Sequence, residues 1–489
     1  MENKKNNAIT LRSQNFAQWY TDVCENAKLF TYASVKGMIN YLPNSWSIWE
    51  KITKILDNDF KKHGIENVYC PLFIKMSDFN KEKKHIEGFA PESFIIEKIG
   101  NEQIPEPLIV RPTSEVLFSQ MFNSILKNYK NLPLKYNQWC SVVRAEKTTK
   151  PFLRGSELIW HEAHHIFASA EEALDDVKKM RDIYNNFLKD YCCLAFISGQ
   201  KTEGEKFAGA IATYTREIWS QDNQFIQTGT NHYFGTNFSS IYGLKFQDVN
   251  NEYKMPFYTT HGITQRIIGD LIVVHGDDNG LVLPFKIAQK QVIISPLFAD
   301  RDKNVLVKAN EIKQLLQDNG INCFIDDSDK SFGFKINNSE VLGTPFFIAF
   351  GPVDLNKNEC ILIRRDNHIK QTISLDKILS SIKEQALVYD KTLYDNSLNR
   401  LKDSIVVCDT MEECKKAINE QKIVLAPFAG SVEDEDKFKQ LTQAKPRCIL
   451  DKENFYLVKE KIKSIIPQNK KCIISNNPAK HYVFFGRQY

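Results

Sequence analysis

From Ser47 onward, Ile48, Ile52, Ile55, Leu56 and Phe60 recur at helical spacing and Gly64 follows them, which predicts a helix closing there. Val68 to Phe73 then reads as a strand that carries a proline, Pro71. Further along the period changes. Residues 137–167 read NQWCSVVRAEKTTKPFLRGSELIWHEAHHIF. An apolar run closes on Ser141-Val142-Val143, a polar tip spans Lys147 to Lys150, and the chain returns through Pro151-Phe152-Leu153-Arg154 into Leu158-Ile159-Trp160. Two apolar runs joined by a polar turn predict a β-hairpin. Arg144, Glu146 and Arg154 sit at the inner ends of its strands. Two arginines and a carboxylate converging on a loop suit a polyanion that also carries an amine or a sugar, such as a nucleotide.

The rest of the chain extends this pattern. Leu108-Ile109-Val110 predicts a strand, and a helix follows from about Val116. Between them, Thr113 and Glu115 place a hydroxyl and a carboxylate two residues apart at a strand-to-helix turn. That pair serves equally well to hold an ammonium group or to cap the helix. Ser169 with Glu172 has the form of a capping box opening a helix to Asp190, and Cys192 to Ile197 reads as a strand. Residues 264–284, TQRIIGDLIVVHGDDNGLVLP, form an Ile- and Val-rich helix preceded by Arg266. After Pro284 the elements alternate: strand 292–298, helix 305–318, then strands 323–326, 345–350 and 360–364. This predicts a separate α/β unit. A third unit begins near Tyr394, with strands at 405–407 and 423–425.

Composition narrows the function classes. With 489 residues the chain has room for several domains, and 42% hydrophobic with 25% charged residues is ordinary for a globular protein. There is no run of 18 apolar residues, and MENKKNNAIT has no apolar signal core, so a cytoplasmic protein without membrane contact is expected. Eleven cysteines without any Cys-x-x-Cys indicate neither a disulfide framework nor an ordinary zinc ribbon. A net charge of +4 does not by itself diagnose nucleic-acid binding. His161-Glu162-Ala163-His164-His165 matches the H-E-x-x-H pattern of zinc peptidases, which needs both histidines on one helical face. Here they fall on the predicted return strand, before the helix starts, and are expected to line a polar pocket.

Arg144-Ala145-Glu146, its loop and Pro151 to Arg154 resemble motif 2 of the class II aminoacyl-tRNA synthetases, specifically the prolyl enzymes. The likeness continues in Phe89-Ala90-Pro91-Glu92, Arg111 to Glu115, Lys201-Thr202-Glu203, Lys206 to Gly209, Gln227 to His232, and Thr264 to Pro284 as motif 3. The helix from Ser47 and its proline-bearing strand resemble motif 1, which implies a homodimer interface. The implied architecture is α+β and multidomain: an antiparallel-sheet catalytic domain over 1–287, an α/β anticodon-binding domain over 288–390, and a small C-terminal α/β domain over 391–489. The implied reaction joins L-proline to tRNA(Pro) through prolyl-adenylate, with ATP as substrate and Mg²⁺ beside it. The family that resembles this chain includes a bacterial form with a large editing insertion, for which the span from Phe167 to Thr202 leaves no room.

The resemblance assigns roles residue by residue. Thr113 and Glu115 would hold proline's ammonium, Arg144 would bridge its carboxylate and the α-phosphate, and Trp160, Phe207 and His232 would wall the ring. Arg154 and Arg266 would hold the outer phosphates, Glu146 the adenine amine, with Gly155, Leu158 and Thr264 also on ATP. Gln227 and Thr230 would serve the ribose and metal side. Lys335 and Glu340 match the anticodon-binding domain. Leu158 and Gly155-Ser156 depart from the usual pattern, an aromatic and a bulkier polar pair, so less stacking on adenine is expected. Many relatives hold zinc in the C-terminal domain, but of the matching cysteines Cys472 remains, with Ala429 and Ile474 in two other places, so no zinc is expected. Tyr489 is expected to dock on the catalytic domain. The alternative is an inactive synthetase-like regulator; such relatives typically lose a motif 2 or motif 3 arginine, and this chain keeps both.

Overall fold

The computed structural model describes residues 9–83 and 93–489. The segment Phe89 to Glu92 lies outside the described residues. The first helix of the predicted pattern runs Pro43–Lys62, four residues earlier than its apolar stripe suggested, because Pro43 fits the first turn, where its missing N–H costs nothing. Ile48, Ile52, Leu56 and Phe60 are its buried face, and Gly64 ends it at φ 71°. The strand expected at Val68 to Phe73 is not continuous. Glu66–Asn67 pairs with the hairpin, Phe73–Lys75 joins a separate three-stranded sheet, and the backbone between is irregular. Pro71 cannot donate to a ladder. Arg111 serves the carbonyls there instead, its guanidinium donating to Cys70 O at 2.7 Å and to Pro71 O at 3.2 Å.

The hairpin is the centre of a seven-stranded sheet. Its spatial order is Glu66–Asn67, Leu134–Val143, Glu157–Phe167, Phe257–Thr264, Phe225–Gly235, Ala212–Trp219 and Phe196–Gln200. Every pairing is antiparallel except the first. The two hairpin strands are longer than their apolar runs, with Val142 opposite Leu158 and Leu134 opposite Ile166. Pro151 to Arg154, expected to open the return strand, forms a turn instead. Phe152 takes φ 61°, and the only ladder-like pairing there is Lys150 with Arg154.

Helix Ala170–Asn186 covers one face of the sheet, and its capping box is the one read from Ser169 and Glu172. A π-turn, Phe187–Tyr191, extends it, so the next strand begins only at Phe196. Helix Arg266–His275 is buried along nearly its whole length beside the Pro43–Lys62 helix, in a core that includes Trp19, Tyr20 and Phe187.

The second unit is a five-stranded sheet in which Val292–Pro296 pairs in parallel with Cys323–Ile325 and Phe346–Phe350. The third is four-stranded, ordered Ile405–Val407, Ile423–Phe428, His481–Gly486, Lys445–Ile449. The expected junction at 390 and 391 falls inside one helix, Ile378–Ser404. Tyr389 and Leu393 belong to the second unit's core and Leu401 to the third's. Ser397 Oγ accepts from Ala195 N at 3.0 Å, and Arg400 donates to Val274 O at 3.0 Å, so the same helix is also fastened to the unit of the seven-stranded sheet.

Candidate active site

Strand alternation sorts the residues of Glu157–Phe167 onto two faces. Leu158, Trp160, Glu162 and His164 line a cavity of about 380 Å³ on the open face of the sheet. His161 and His165 point the other way, under helix Ala170–Asn186. His161 accepts from the Tyr184 hydroxyl at 2.7 Å and His165 donates to Asp176 at 2.9 Å. The expectation that these two histidines line the pocket is therefore corrected, since a strand sends odd and even residues to opposite sides. Asp176 is a hub: His165, His261 and Thr259 all donate to one oxygen, Oδ2, at 2.9–3.0 Å. Among the described residues His165, Asp176 and His261 are the group near enough to hold a metal together, and there both rings already donate to the Asp176 carboxylate.

The end of the cavity around Thr113 and Glu115 combines buried carboxylates with half-buried Arg144, Trp160, Phe207 and His232. Thr113 Oγ1 donates to Glu115 Oε2, and Glu115 is 6% exposed. Glu162 accepts from Gln138 Nε2 at 2.6 Å; burial alone would raise its carboxyl, but His164, Ser114 and Gln138 hold it below the usual range. The Arg144 guanidinium lies 5.5 Å from the Trp160 ring centre and donates to Pro112 O at 2.9 Å. Burial lowers its pKa while Glu115 and Glu162 oppose that fall. Phe207 stands 4.8 Å from His232, ring to ring. Burial pushes His232 down to about 3, so the ring is neutral, and Thr213 Oγ1 lies 3.0 Å from its Nδ1.

Strand Phe225–Gly235 brings Gln227 and Thr230 to the same cavity, and Thr264 and Arg266 close it from the start of the motif 3 helix. Arg266 donates to Leu153 O at 2.9 Å and to Gln227 O at 2.8 Å, which ties the hairpin turn to that strand. The side-chain oxygen of Gln227 accepts from Lys201 Nζ at 2.6 Å. An oxygen engaged by an ammonium is not a ready ligand for a hard cation, which takes oxygen donors. The Mg²⁺ role expected of Gln227 does not fit this arrangement. Beneath Arg266, burial pushes the Asp270 carboxyl up to about 7 although Thr228 donates to it at 2.9 Å.

Three expected ATP residues are not on this cavity. Arg154 donates to Glu146 at 2.8 Å and is half exposed. Arg154 and Gly155 line a neighbouring cavity of about 200 Å³ with Tyr32, Gly37 and Lys150. The cause is the turn at Phe152, which carries the hairpin tip away from the sheet, and the mutual charge of Arg154 and Glu146. Lys335 is buried, donating to Asp326 O at 2.9 Å, and Glu340 meets His368 at 2.8 Å, so neither expected anticodon residue presents a free charge. Cys472 Sγ lies 3.6 Å from Asp434 in an apolar cluster with Ala429 and Ile474 at its edge, a donor set that cannot complete a tetrahedral zinc shell. Tyr489 docks as expected: its N–H donates to Phe225 O at 3.0 Å and its ring lies 4.9 Å from Lys150.

Comparison with known proteins then decides the family. Residues 94–275 match the class II tRNA synthetase core domain for G, H, P, S and T, residues 291–385 an anticodon-binding domain, and residues 411–489 the prolyl-tRNA synthetase C-terminal domain. The chain is 42% identical over 486 residues to the proline–tRNA ligase of Ureaplasma urealyticum, covering 99% of this chain and 100% of that one. It is 42% identical to the enzyme of Mycoplasma mobile, covering 98% of both. The chain belongs to the prolyl-tRNA synthetases. Its activity is that of a class II proline–tRNA ligase, and nothing supports the inactive alternative. A crystal structure of prolyl-tRNA synthetase from Cryptosporidium parvum, complexed with halofuginone and AMPPNP, superposes with a TM-score of 0.93 at 32% identity over 99% of each chain.

Sequence reasoning missed Glu162, His164, Lys201, Glu205 and His261 on the cavity wall. Counting by twos from Trp160 would have found Glu162 and His164. Lys201 stood in a matched block without a role, and no local signal pointed to Glu205 or His261.

Proposed function

We propose that the cavity binds L-proline and ATP side by side and that its own residues position them for attack. The observation that carries this is the bipolar lining: buried carboxylates, Glu115 and Glu162, within electrostatic reach of the half-buried guanidinium of Arg144. A zwitterion answers both charges. Its ammonium meets Thr113 and Glu115, its carboxylate meets Arg144, and the neutral His232, Phe207 and Trp160 take the ring without demanding charge.

The carboxylate of proline is already an anion, so attack on the α-phosphate needs no general base. What the site must supply is alignment and neutralisation of phosphate charge. Arg144 and Arg266 do this, because a desolvated guanidinium gains most from a planar anion that accepts both its donors. Pyrophosphate leaves, and the 3′-terminal ribose hydroxyl of tRNA(Pro) then takes the prolyl group. ATP as substrate is supported by the AMPPNP bound in the Cryptosporidium structure. Mg²⁺ would enter on the phosphates themselves, since Gln227 is engaged by Lys201. Arg154 and Glu146 serve ATP after separating. The second unit receives the tRNA; Lys335 and Glu340 support its shape.

Tyr69, Leu72, Phe73 and Ile95 expose apolar surface beside the proline-bearing segment, Tyr69 at 71%, which supports a homodimer formed there. No helix among the described residues is long and apolar enough to cross a membrane, and a cytoplasmic place fits the use of tRNA. Proline-dependent ATP–pyrophosphate exchange by the purified protein tests the reading. Exchange that requires proline is expected, and exchange indifferent to proline would overturn it.

A further inference from the structure

The cavity wall at residues 201–209 is held from outside the catalytic unit. Thr202 Oγ1 donates to Glu435 Oε2 at 2.9 Å and Gly204 N donates to Glu435 Oε1 at 3.1 Å. A Cβ at Gly204 would stand 2.6 Å from the same carboxylate, so the loop rests directly on it. Lys445 reaches Glu205 at 3.1 Å. Glu435 and Lys445 both belong to the C-terminal unit.

Beneath this loop runs a buried chain of charges. Arg447, on strand Lys445–Ile449, donates to Glu217 Oε2 at 2.7 Å, and both residues are fully buried. Its other guanidinium nitrogen donates to Gln488 at 2.6 Å. Glu217 Oε1 accepts from Thr215 at 2.8 Å and lies 4.0 Å from Lys201 Nζ. Lys201 spends its short contact on Gln227 Oε1, at 2.6 Å. A buried carboxylate must find a cation. Arg447 satisfies Glu217, which leaves the Lys201 ammonium free to hold the Gln227 amide. Without Arg447, the carboxylate would draw Lys201 the remaining distance and away from Gln227.

We propose that Arg447, supplied by the C-terminal unit, is a positioning residue of the catalytic cavity that acts through Glu217 and Lys201 on Gln227. The C-terminal unit is then part of the amino-acid activation site, in a reaction step that involves no tRNA. The inference rests on the reading that Gln227 faces ATP.

The test is steady-state ATP–pyrophosphate exchange on the full chain, separating KM for ATP from KM for proline and from kcat. Arg447→Met should raise KM for ATP about tenfold, the loss of one charge-assisted hydrogen bond, while KM for proline stays put. Adding Glu217→Gln to that variant removes the carboxylate that captures Lys201, so KM for ATP should return toward the wild-type value. A purely structural ion pair would also be relieved by the double change, but its loss would lower Tm and disturb KM for proline and kcat together with KM for ATP. The selective rise and recovery of KM for ATP is therefore the readout that marks a positioning role. Should Arg447→Met not fold, Arg447→Lys keeps a cation at greater distance and should show a smaller rise, again in KM for ATP alone. An ATP KM unchanged in Arg447→Lys and Arg447→Met, or no recovery in the double variant, overturns the proposal. Gln227→Ala separates the two layers. If it leaves KM for ATP unchanged, the reading of Gln227 falls and this inference with it. If it raises that KM while the Arg447 variants do not, this inference alone falls.

Discussion

The two ends of the active site are prepared to different degrees. At the end proposed for the amino acid, Thr113, Glu115 and His232 stand on a strand or on the turn into a helix, and their hydrogen-bond partners are already in place. At the hairpin tip, Arg154 and Glu146 are partly exposed and satisfy each other. A rigid sheet can hold a charge aimed at an absent ligand, because the backbone absorbs the cost. A loop lets opposite charges close on one another until a stronger partner arrives. On the proposed reading, the small zwitterion would meet a preformed site, and the nucleotide would have to open the Arg154–Glu146 pair at the hairpin tip.

Breaking the preformed end should have the largest effect. Glu115→Ala leaves proline's ammonium unpaired in a buried site, a loss of ~3–5 kcal/mol. Proline-dependent exchange should fall by orders of magnitude while ATP still protects the protein against thermal unfolding. Exchange near the wild-type rate would show that the ammonium binds elsewhere.

Between the two ends, Asp270 makes the comparison sensitive to pH. Its folded pKa is pushed up to about 7, above the range of an unfolded aspartate, so the native state binds the extra proton. Stability from this group is full below pH ~4 and declines as pH rises through about 7. The loss is ~4 kcal/mol at most, from a shift of about three units. Asp270→Asn should flatten the fall in Tm between pH 5 and pH 8. An equally steep fall in the variant would assign the dependence to other groups.

The weakest effect belongs to the hairpin tip. Exposed ion pairs contribute ~0.2–1 kcal/mol, so Arg154→Ala should leave Tm within a degree or two while raising KM for ATP and leaving KM for proline unchanged. A proline KM that rose with it would mean that the two ends are not separate.

What could be read from the chain follows the same division. The hairpin, the motif 3 helix and the capping box at Ser169 were legible because each rests on local periodicity or a short-range hydrogen bond. Thr113, Glu115 and His232 were legible as cavity residues because they lie in matched blocks at a strand-to-helix turn and on a regular strand. The hairpin tip was read as part of the same site, yet the left-handed turn at Phe152 and the Arg154–Glu146 pair carry it to a neighbouring cavity. The strand through Pro71 failed because a distant side chain, Arg111, takes up carbonyls that a ladder would otherwise use. Lys335 carried a charge in the right block, but burial against Asp326 is invisible without the fold. The Arg447–Glu217 pair joins residues 230 positions apart, beyond any local signal.

The helix Ile378–Ser404 restricts how the molecule can be dissected. Its first half fills the core of the second unit and its last turns fill the core of the third. A chain cut anywhere along it strips one neighbour of wall residues such as Tyr389 or Leu401, each buried completely. Two autonomous fragments would have to overlap, both carrying the whole helix, so a protease nick near residue 390 should leave two pieces that stay associated rather than two domains that drift apart.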